Sequence, residues 1–204
     1  MVPQVAGTAL GTGRLELQVD GRTQVLPAPQ GNLDWLVPVP RATAATRVAM
    51  RLTATTRLPD GDERPTGAKL ELLEILPRLP VREFNFGQYG ATRLATMGVD
   101  QDGWMERRAE VALPSGDRPL RATLTVEFPG WAGHAEGKLS VSGDGSVSAL
   151  HLLKPGETVI TVTLPPNAAP RQLRFELANL FALPAPDTRE RGARLLRMSV
   201  DELP

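Results

Sequence analysis

Asp187-Thr188-Arg189-Glu190-Arg191-Gly192-Ala193-Arg194-Leu195 has an earlier counterpart, Asp62-Glu63-Arg64-Pro65-Thr66-Gly67-Ala68-Lys69-Leu70. The shared pattern is D-x-R-x-x-G-A-[K/R]-L, and 187 less 62 sets the offset at 125 residues. We read it as a turn feeding the last strand of a β unit. It is an architectural signal, and it names no reaction.

The similarity extends in both directions, which makes an internal repeat the first thing to settle. Leu58-Pro59 matches Leu183-Pro184, and Val48, Met50 and Leu52 match Leu173, Phe175 and Leu177. Trp35, Val37, Val39 and Pro40 match Ile160, Val162, Leu164 and Pro165. Further upstream the offset is 124, which pairs Gly13, Leu15, Leu17, Asp20 and Gly21 with Gly137, Leu139, Val141, Asp144 and Gly145. One residue of slip in the intervening loop accounts for the change. The matched apolar residues mostly fall two apart, the spacing of one face of a strand. After the signature the spacing breaks once. Leu70 pairs with Leu195, then Leu73 with Met198 and Ile75 with Val200. A three-residue step inside a two-residue pattern predicts a β-bulge in both copies.

Composition agrees with an all-β chain. Nineteen prolines and nineteen glycines are scattered among short alternating runs, and no stretch sustains a helical period over three turns. The 204 residues are enough for one large β domain or two small ones. Lys and Arg number 23, as do Asp and Glu, so there is no net basic charge to displace counterions from nucleic acid. There is no cysteine, hence no disulfide framework and no thiolate metal site. The N-terminal residues lack the basic and apolar regions of a signal peptide, and no apolar run is long enough to span a bilayer. We therefore expect no membrane insertion, and the compartment stays open. Basic residues are nearly all arginine, which hints at a GC-rich bacterial genome.

Taken in order, residues 1–12 are expected to fray or to form a short edge segment. Strands follow at 13–19, 23–26, 33–39, 47–55 and 68–76, with Asp20-Gly21 as a hairpin turn. Pro77-Arg78-Leu79-Pro80 is a stiff connector, and the boundary falls there, giving an abbreviated β unit over 1–80 and a complete one over 81–204. The second unit opens with a front section, residues 81–136, that the first lacks. Leu120, Ala122, Leu124, Val126 and Phe128 give the longest clean alternation within it. The expected fold is a tandem of antiparallel, jelly-roll-like β-sandwich units. The shorter unit would leave an apolar face open, to be packed on the second unit or on another chain.

Candidates for chemistry are few. His134 and His151 are the two histidines, and neither has a partner at metal-ligand spacing. There is no nucleophile elbow and no Ser-His-Asp set. Asp60, Asp62 and Glu63 form an acidic loop suited to Ca²⁺, but Asp62–Arg64 and Asp187–Arg189 loop ion pairs explain the same residues better. We expect no metal and no cofactor. The aromatics are more suggestive, because sugar rings stack on Trp or Tyr while nearby polar groups fix orientation. Tyr89, Trp104 and Trp131 fall on or beside loops of the second unit, with Asp102 and Arg107 close in sequence. Trp35 matches Ile160 and is expected in the core.

Four elements carry a resemblance. They are Phe86-Gly87-Gln88-Tyr89-Gly90, Gly103-Trp104-Met105, Ala109-Glu110-Val111-Ala112-Leu113-Pro114, and Asp187 to Gly192. The segment from Phe84 resembles a β-sandwich accessory domain of bacterial glycosyltransferases and other polysaccharide-handling proteins. The resemblance implies a non-catalytic module covalently linked to a glycan-active enzyme and gripping saccharide or polysaccharide. On the residues themselves two other readings stay open. One is an assembly module without ligand, for instance a homo-oligomer. The other is a small glycoside hydrolase using paired carboxylates such as Asp102 and Glu106.

Overall fold

The computed structural model describes residues 2–9, 14–19, 22–27, 31–38, 48–52, 56–57, 65–66, 68–76, 79, 81–88, 92–132, 136–144 and 148–204. Its strands run in order as β1 (Val2–Ala9), β2 (Arg14–Val19), β3 (Arg22–Pro27), β4 (Gly31–Leu36), β5 (Val48–Leu52), β6 (Thr56–Arg57), β7 (Pro65–Thr66) and β8 (Ala68–Leu76). Next come β9 (Glu83–Asn85), β10 (Thr92–Leu94), β11 (Thr96–Val99), β12 (Met105–Leu113) and β13 (Leu120–Phe128). The last group is β14 (Gly137–Gly143), β15 (Ala149–Leu153), β16 (Gly156–Leu164), β17 (Arg171–Leu177), β18 (Phe181–Ala182), β19 (Glu190–Arg191) and β20 (Arg194–Glu202). A single 3-10 turn, Gly130–Ala132, is the one helical element among the described residues. The chain is all-β, with several antiparallel sheets.

The C-terminal body is built from two sheets, ordered β11-β12-β17-β14-β15 and β16-β13-β20-β9. Alternation in β13 explains why they close on each other. Leu120, Ala122, Leu124, Val126 and Phe128 are all buried, while the intervening residues are not. They meet Val111, Leu139, Val141, Leu173 and Phe175 of the opposing sheet in one core. Fully burying each Leu, Val or Phe stabilises by about 1.5–3 kcal/mol, so this shared face holds the two sheets together.

The N-terminal strands form three further sheets, ordered β10-β4-β1-β8, β3-β2-β5 and β6-β7. The first of these crosses the 77–80 connector, because β10 pairs in parallel with β4. A second, smaller core joins Leu17, Trp35 and Val37 to Ala95 and Ala112 from beyond the connector. The apolar face expected to be open thus packs on the residues that follow. Trp35 is core, as its match with Ile160 predicts.

The described part of residues 1–12 departs from expectation. Val2–Ala9 is neither frayed nor an edge segment but an interior strand, paired with β4 on one side and β8 on the other. Its small residues and weak alternation give little local signal, and it is held by long-range pairing. The bulges fall where the three-residue step predicts. Pairing of β1 with β8 passes from Leu72 to Leu70 and skips Glu71, and pairing of β13 with β20 passes from Arg197 to Leu195 and skips Leu196.

Candidate functional site

The site lies at one end of the C-terminal body, where the β11–β12 turn meets the D-x-R-x-x-G-A stretch. The turn is tight. The Asp100 N–H donates to the Trp104 carbonyl at 2.8 Å, and the Gly103 N–H donates to the Asp100 carbonyl at 3.0 Å. Gly103 has φ +86, and a Cβ there would sit 2.4 Å from the Leu195 carbonyl oxygen, so only glycine fits. From there the chain pairs with the incoming strand. Leu195 donates to Gly103 and Met105 donates to Ala193, each at 2.8 Å. That pairing brings the two segments together across the sequence.

An acidic cluster closes on Arg189 as a result. Asp187 first shapes its own loop, accepting the Arg189 N–H at 2.9 Å and the Nε–H at 3.0 Å. Arg189 Nη1 donates to Asp100 Oδ2 at 2.8 Å and to Asp102 Oδ1 at 3.2 Å. Arg191 Nε donates to Asp100 Oδ2 at 2.6 Å, and Arg194 Nε to the Asp102 carbonyl at 2.6 Å. Glu106 and Glu127 lie at the margins, 3.8 Å from Arg191 and 3.7 Å from Arg194. Hydrogen bonds from Arg189 hold the Asp187 carboxyl down at about 2. Burial works against ionisation of Asp102, yet hydrogen bonding and charge from Arg189 outweigh it and its pKa is lowered. The same contacts, led by Asp187, raise the pKa of Arg189. The carboxylates are therefore spent on arginine, in agreement with the loop ion pair expected for Asp187 and Arg189. Among the described residues no group of three or more His, Asp or Glu is arranged to hold a metal ion.

Beside this cluster stand two tryptophans. Trp131 rides on the 3-10 turn with 49% of its surface exposed, and Trp104 meets it edge-on, ring centroids 6.2 Å apart at 68°. Trp104 also bridges to Arg194. Of the residues singled out from sequence, Trp104, Trp131 and Asp102 are thus brought to one end. Arg107 is exposed and donates to the Ala178 carbonyl at 3.2 Å, apart from the arginine cluster. Tyr89, His134 and the loop of Asp60, Asp62 and Glu63 lie outside the described residues. His151 is half-buried on β15, opposite Leu139.

Sequence reasoning missed a shallow groove of about 200 Å³ on the outer face of the five-stranded sheet. Its floor is a set of cross-strand pairs. Arg108 lies 3.7 Å from Glu176, and Arg174 lies 3.4 Å from Glu110 and 3.0 Å from Asp144. The available signal was the Arg, Glu and Ser at outward positions of β12, β14 and β17, which becomes a cluster only once strand order is known. Exposed pairs of this kind contribute about 0–1 kcal/mol each.

No protein-family model matches the chain, and no curated relative matches it in sequence. Among solved structures, it is similar to part of a family GH115 4-O-methyl-α-glucuronidase, BtGH115A, with specificity for decorated arabinogalactans. The identity is 11%, over 63% of this chain and 18% of that one, with a TM-score of 0.40. It is also similar to part of an exo-β-1,3-galactanase from Phanerochaete chrysosporium, at 12% identity over 96% of this chain and 43% of that one, with a TM-score of 0.34. The chain spans less than half the length of either protein. The likeness is one of β-rich architecture with portions of two glycoside hydrolases.

Proposed function

We propose that the chain is a non-catalytic, saccharide-binding accessory module, whose contact surface is the Trp131–Trp104 pair. Trp131 carries the reading. Among the described aromatics Trp35, Phe84, Phe86, Phe128, Phe175 and Phe181 are buried and Trp104 is half-buried, whereas the Trp131 indole is half open to solvent. Its neighbour Trp104 braces it, and an edge-to-face pair adds about 0.5–1.5 kcal/mol beyond area burial. A braced, exposed indole beside hydrogen-bonding polar groups is what a sugar ring needs for stacking and orientation. The hydrolase alternative is weaker, because Asp102 is held ionised by Arg189 and is ill placed to donate a proton. Affinity electrophoresis in polysaccharide gels and a glycan array test the proposal. Wild-type protein is expected to be retarded by at least one polysaccharide, and Trp131→Ala to lose that retardation. Wild-type mobility unchanged across the panel rules the reading out.

We also infer that the chain carries one jelly-roll-like module twice, which favours a second, assembly role. Strand registers support this. Leu15 pairs with Leu52 as Leu139 pairs with Leu177, and Leu15 pairs with Leu26 as Leu139 pairs with His151. Thr56 pairs with Thr66 as Phe181 pairs with Arg191, and Gln4 pairs with Leu36 as Thr123 pairs with Thr161. Each correspondence keeps the sequence offset of 124 or 125, except β1 with β13, where it is 119. The correspondence of β1 with β13 lengthens the first copy, so what it lacks is the β9–β12 segment. An experimental structure in which 14–76 and 137–201 follow different paths overturns this part.

A further inference from the structure

Among the described residues, one side of the C-terminal body is left open. β16 ends the four-stranded sheet and β15 ends the five-stranded one. Three exposed apolar side chains stand on these edge strands, Leu150, Leu152 and Val159, at 62%, 57% and 66% exposure. An open edge offers unpaired backbone groups, and apolar side chains beside it invite another strand.

The corresponding N-terminal edge, β3 and β4, is covered. Thr92, Arg93 and Leu94 of β10 pair in parallel with Asp34, Trp35 and Leu36 of β4, and the Ala95 N–H donates to the Leu36 carbonyl at 2.8 Å. β11 then runs against β3. Ala95 and Ala112 seal the small core around Leu17, Trp35 and Val37.

The offset of 125 carries Asp34, Trp35 and Leu36 onto Val159, Ile160 and Thr161. Trp35 and Ile160 are equally buried, at 2% exposure. Where the β10–β11 segment reaches, the two edges differ. Val37 is buried against Ala95 and Ala112, but Val162 is only partly buried; Leu36 joins the main core, whereas its counterpart is the exposed, polar Thr161. The residues around the second edge are those expected of the first with its cover removed.

We propose that the β15–β16 edge docks the β10–β11 segment of a further module of the same kind. The incoming strand would pair in parallel with β16 along 159–161, and the following strand would lie against Leu150 and Leu152 of β15. The occupant follows from the fold itself, since the equivalent edge is filled by this segment in this register. Strand addition supplies the main-chain hydrogen bonds, and the side chains set the register. The proposal rests on the twofold reading above and does not depend on saccharide binding.

The chain has no cysteine, so an introduced pair reports cleanly. The full chain is extended past Pro204 with a second copy of residues 81–204. Cysteines replace Val159 and the added copy's Thr92, which the pairing of Thr92 with Asp34 makes direct neighbours. Tethering is the same for both pairs, but docking would hold Val159→Cys beside the added copy's Thr92→Cys, so this pair should oxidise about tenfold or more faster than a pair of Val159→Cys with the added copy's Asp117→Cys. Equal rates, with the added copy's strands protected from hydrogen exchange, overturn the proposal. Should the added copy not fold, a peptide of residues 89–100 is titrated into the full-length chain. New exchange protection over 157–163 supports docking, and its absence at millimolar peptide overturns it. Concentration-dependent protection of that edge without peptide also overturns it, because the edge would then join two copies of this chain. A failure of the repeat itself is seen separately, when 14–76 and 137–201 do not superpose.

Discussion

Arg189 grips Asp102 from 87 residues away in sequence, with Nη1 to Oδ1 at 3.2 Å and Nη2 to Oδ2 at 2.5 Å. This two-pronged pair ties the β11–β12 turn to the loop before β19. With Asp187 and Asp100 on the same guanidinium, the loop is held by charge where it has little apolar surface to bury. Replacing Arg189 with Met leaves three carboxylates facing one another. Loss of one partner from a buried pair costs about 3–5 kcal/mol, and this arginine is a third exposed, so about 1–2 kcal/mol is expected at pH 7. Urea denaturation of the full chain measures it.

The same cluster sets an acid dependence. Asp187 is held at about 2 and Asp102 is also lowered. A carboxylate depressed in the folded state contributes stability that is fully present above its unfolded value, near ~3.9. That contribution is lost as pH falls from there toward 2. Melting temperatures recorded between pH 6 and 2 should drop across this window in the wild-type protein. In Arg189→Met the drop should flatten, because protonation then relieves repulsion. An equally steep fall in both proteins would mean that Arg189 does not set the window.

Gly192 explains why the signature needs its glycine. A Cβ there would lie 2.5 Å from the Asn179 carbonyl oxygen and 2.9 Å from Leu177 Cδ1. Backbone must move to admit it, so Gly192→Ala is expected to cost about 1–3 kcal/mol. On the twofold reading Gly67→Ala should cost a similar amount. A neutral Gly67→Ala beside a costly Gly192→Ala would separate the two copies. Chemical denaturation of both variants decides it.

What could be read from sequence was what local pattern controls. Alternation from Leu120 to Phe128 gives a strand with those same bounds, because inward and outward positions differ sharply in polarity, and the run from Ala68 to Leu76 also matches its strand. The bulges were legible because they break that alternation in step. β1 was not, since Val2–Ala9 is mostly small residues and its neighbours lie far away in sequence. Trp104, Trp131 and Asp102 were singled out by residue type and position beside loops. The meeting of Asp102 with Arg189 was hidden, because it depends on β12 starting against residues 192–195. Arg107 was grouped with them by sequence proximity, but strand geometry directs its guanidinium to Ala178.

The bulge at Leu196 makes a test of register. Leu195, Met198 and Val200 are buried on either side of it. Deleting Leu196 restores simple alternation and keeps all three facing the core. The main loss is the hydrogen bond from the Phe86 N–H to the Leu196 carbonyl, about 1 kcal/mol. Deleting Ser199 instead turns Val200 outward, since a one-residue shift moves every later side chain to the other face. The Ser199 deletion should therefore be much the less stable of the two. Equal stability would show that the β20 register tolerates slippage.

Trp131 can be followed by its own light. Trp35 is buried, Trp104 is half-buried, and Trp131 is the exposed indole of the three. Most acrylamide-accessible emission should therefore come from Trp131, and Trp131→Phe should shift the spectrum to shorter wavelength and cut the quenching slope. Trp104→Phe should change quenching less while loosening the support of Trp131, at a cost of about 0.5–1.5 kcal/mol. A bound saccharide should protect wild-type emission from acrylamide and leave Trp131→Phe unchanged. Quenching that survives Trp131→Phe intact would place the accessible indole elsewhere and remove the stacking surface from the binding argument.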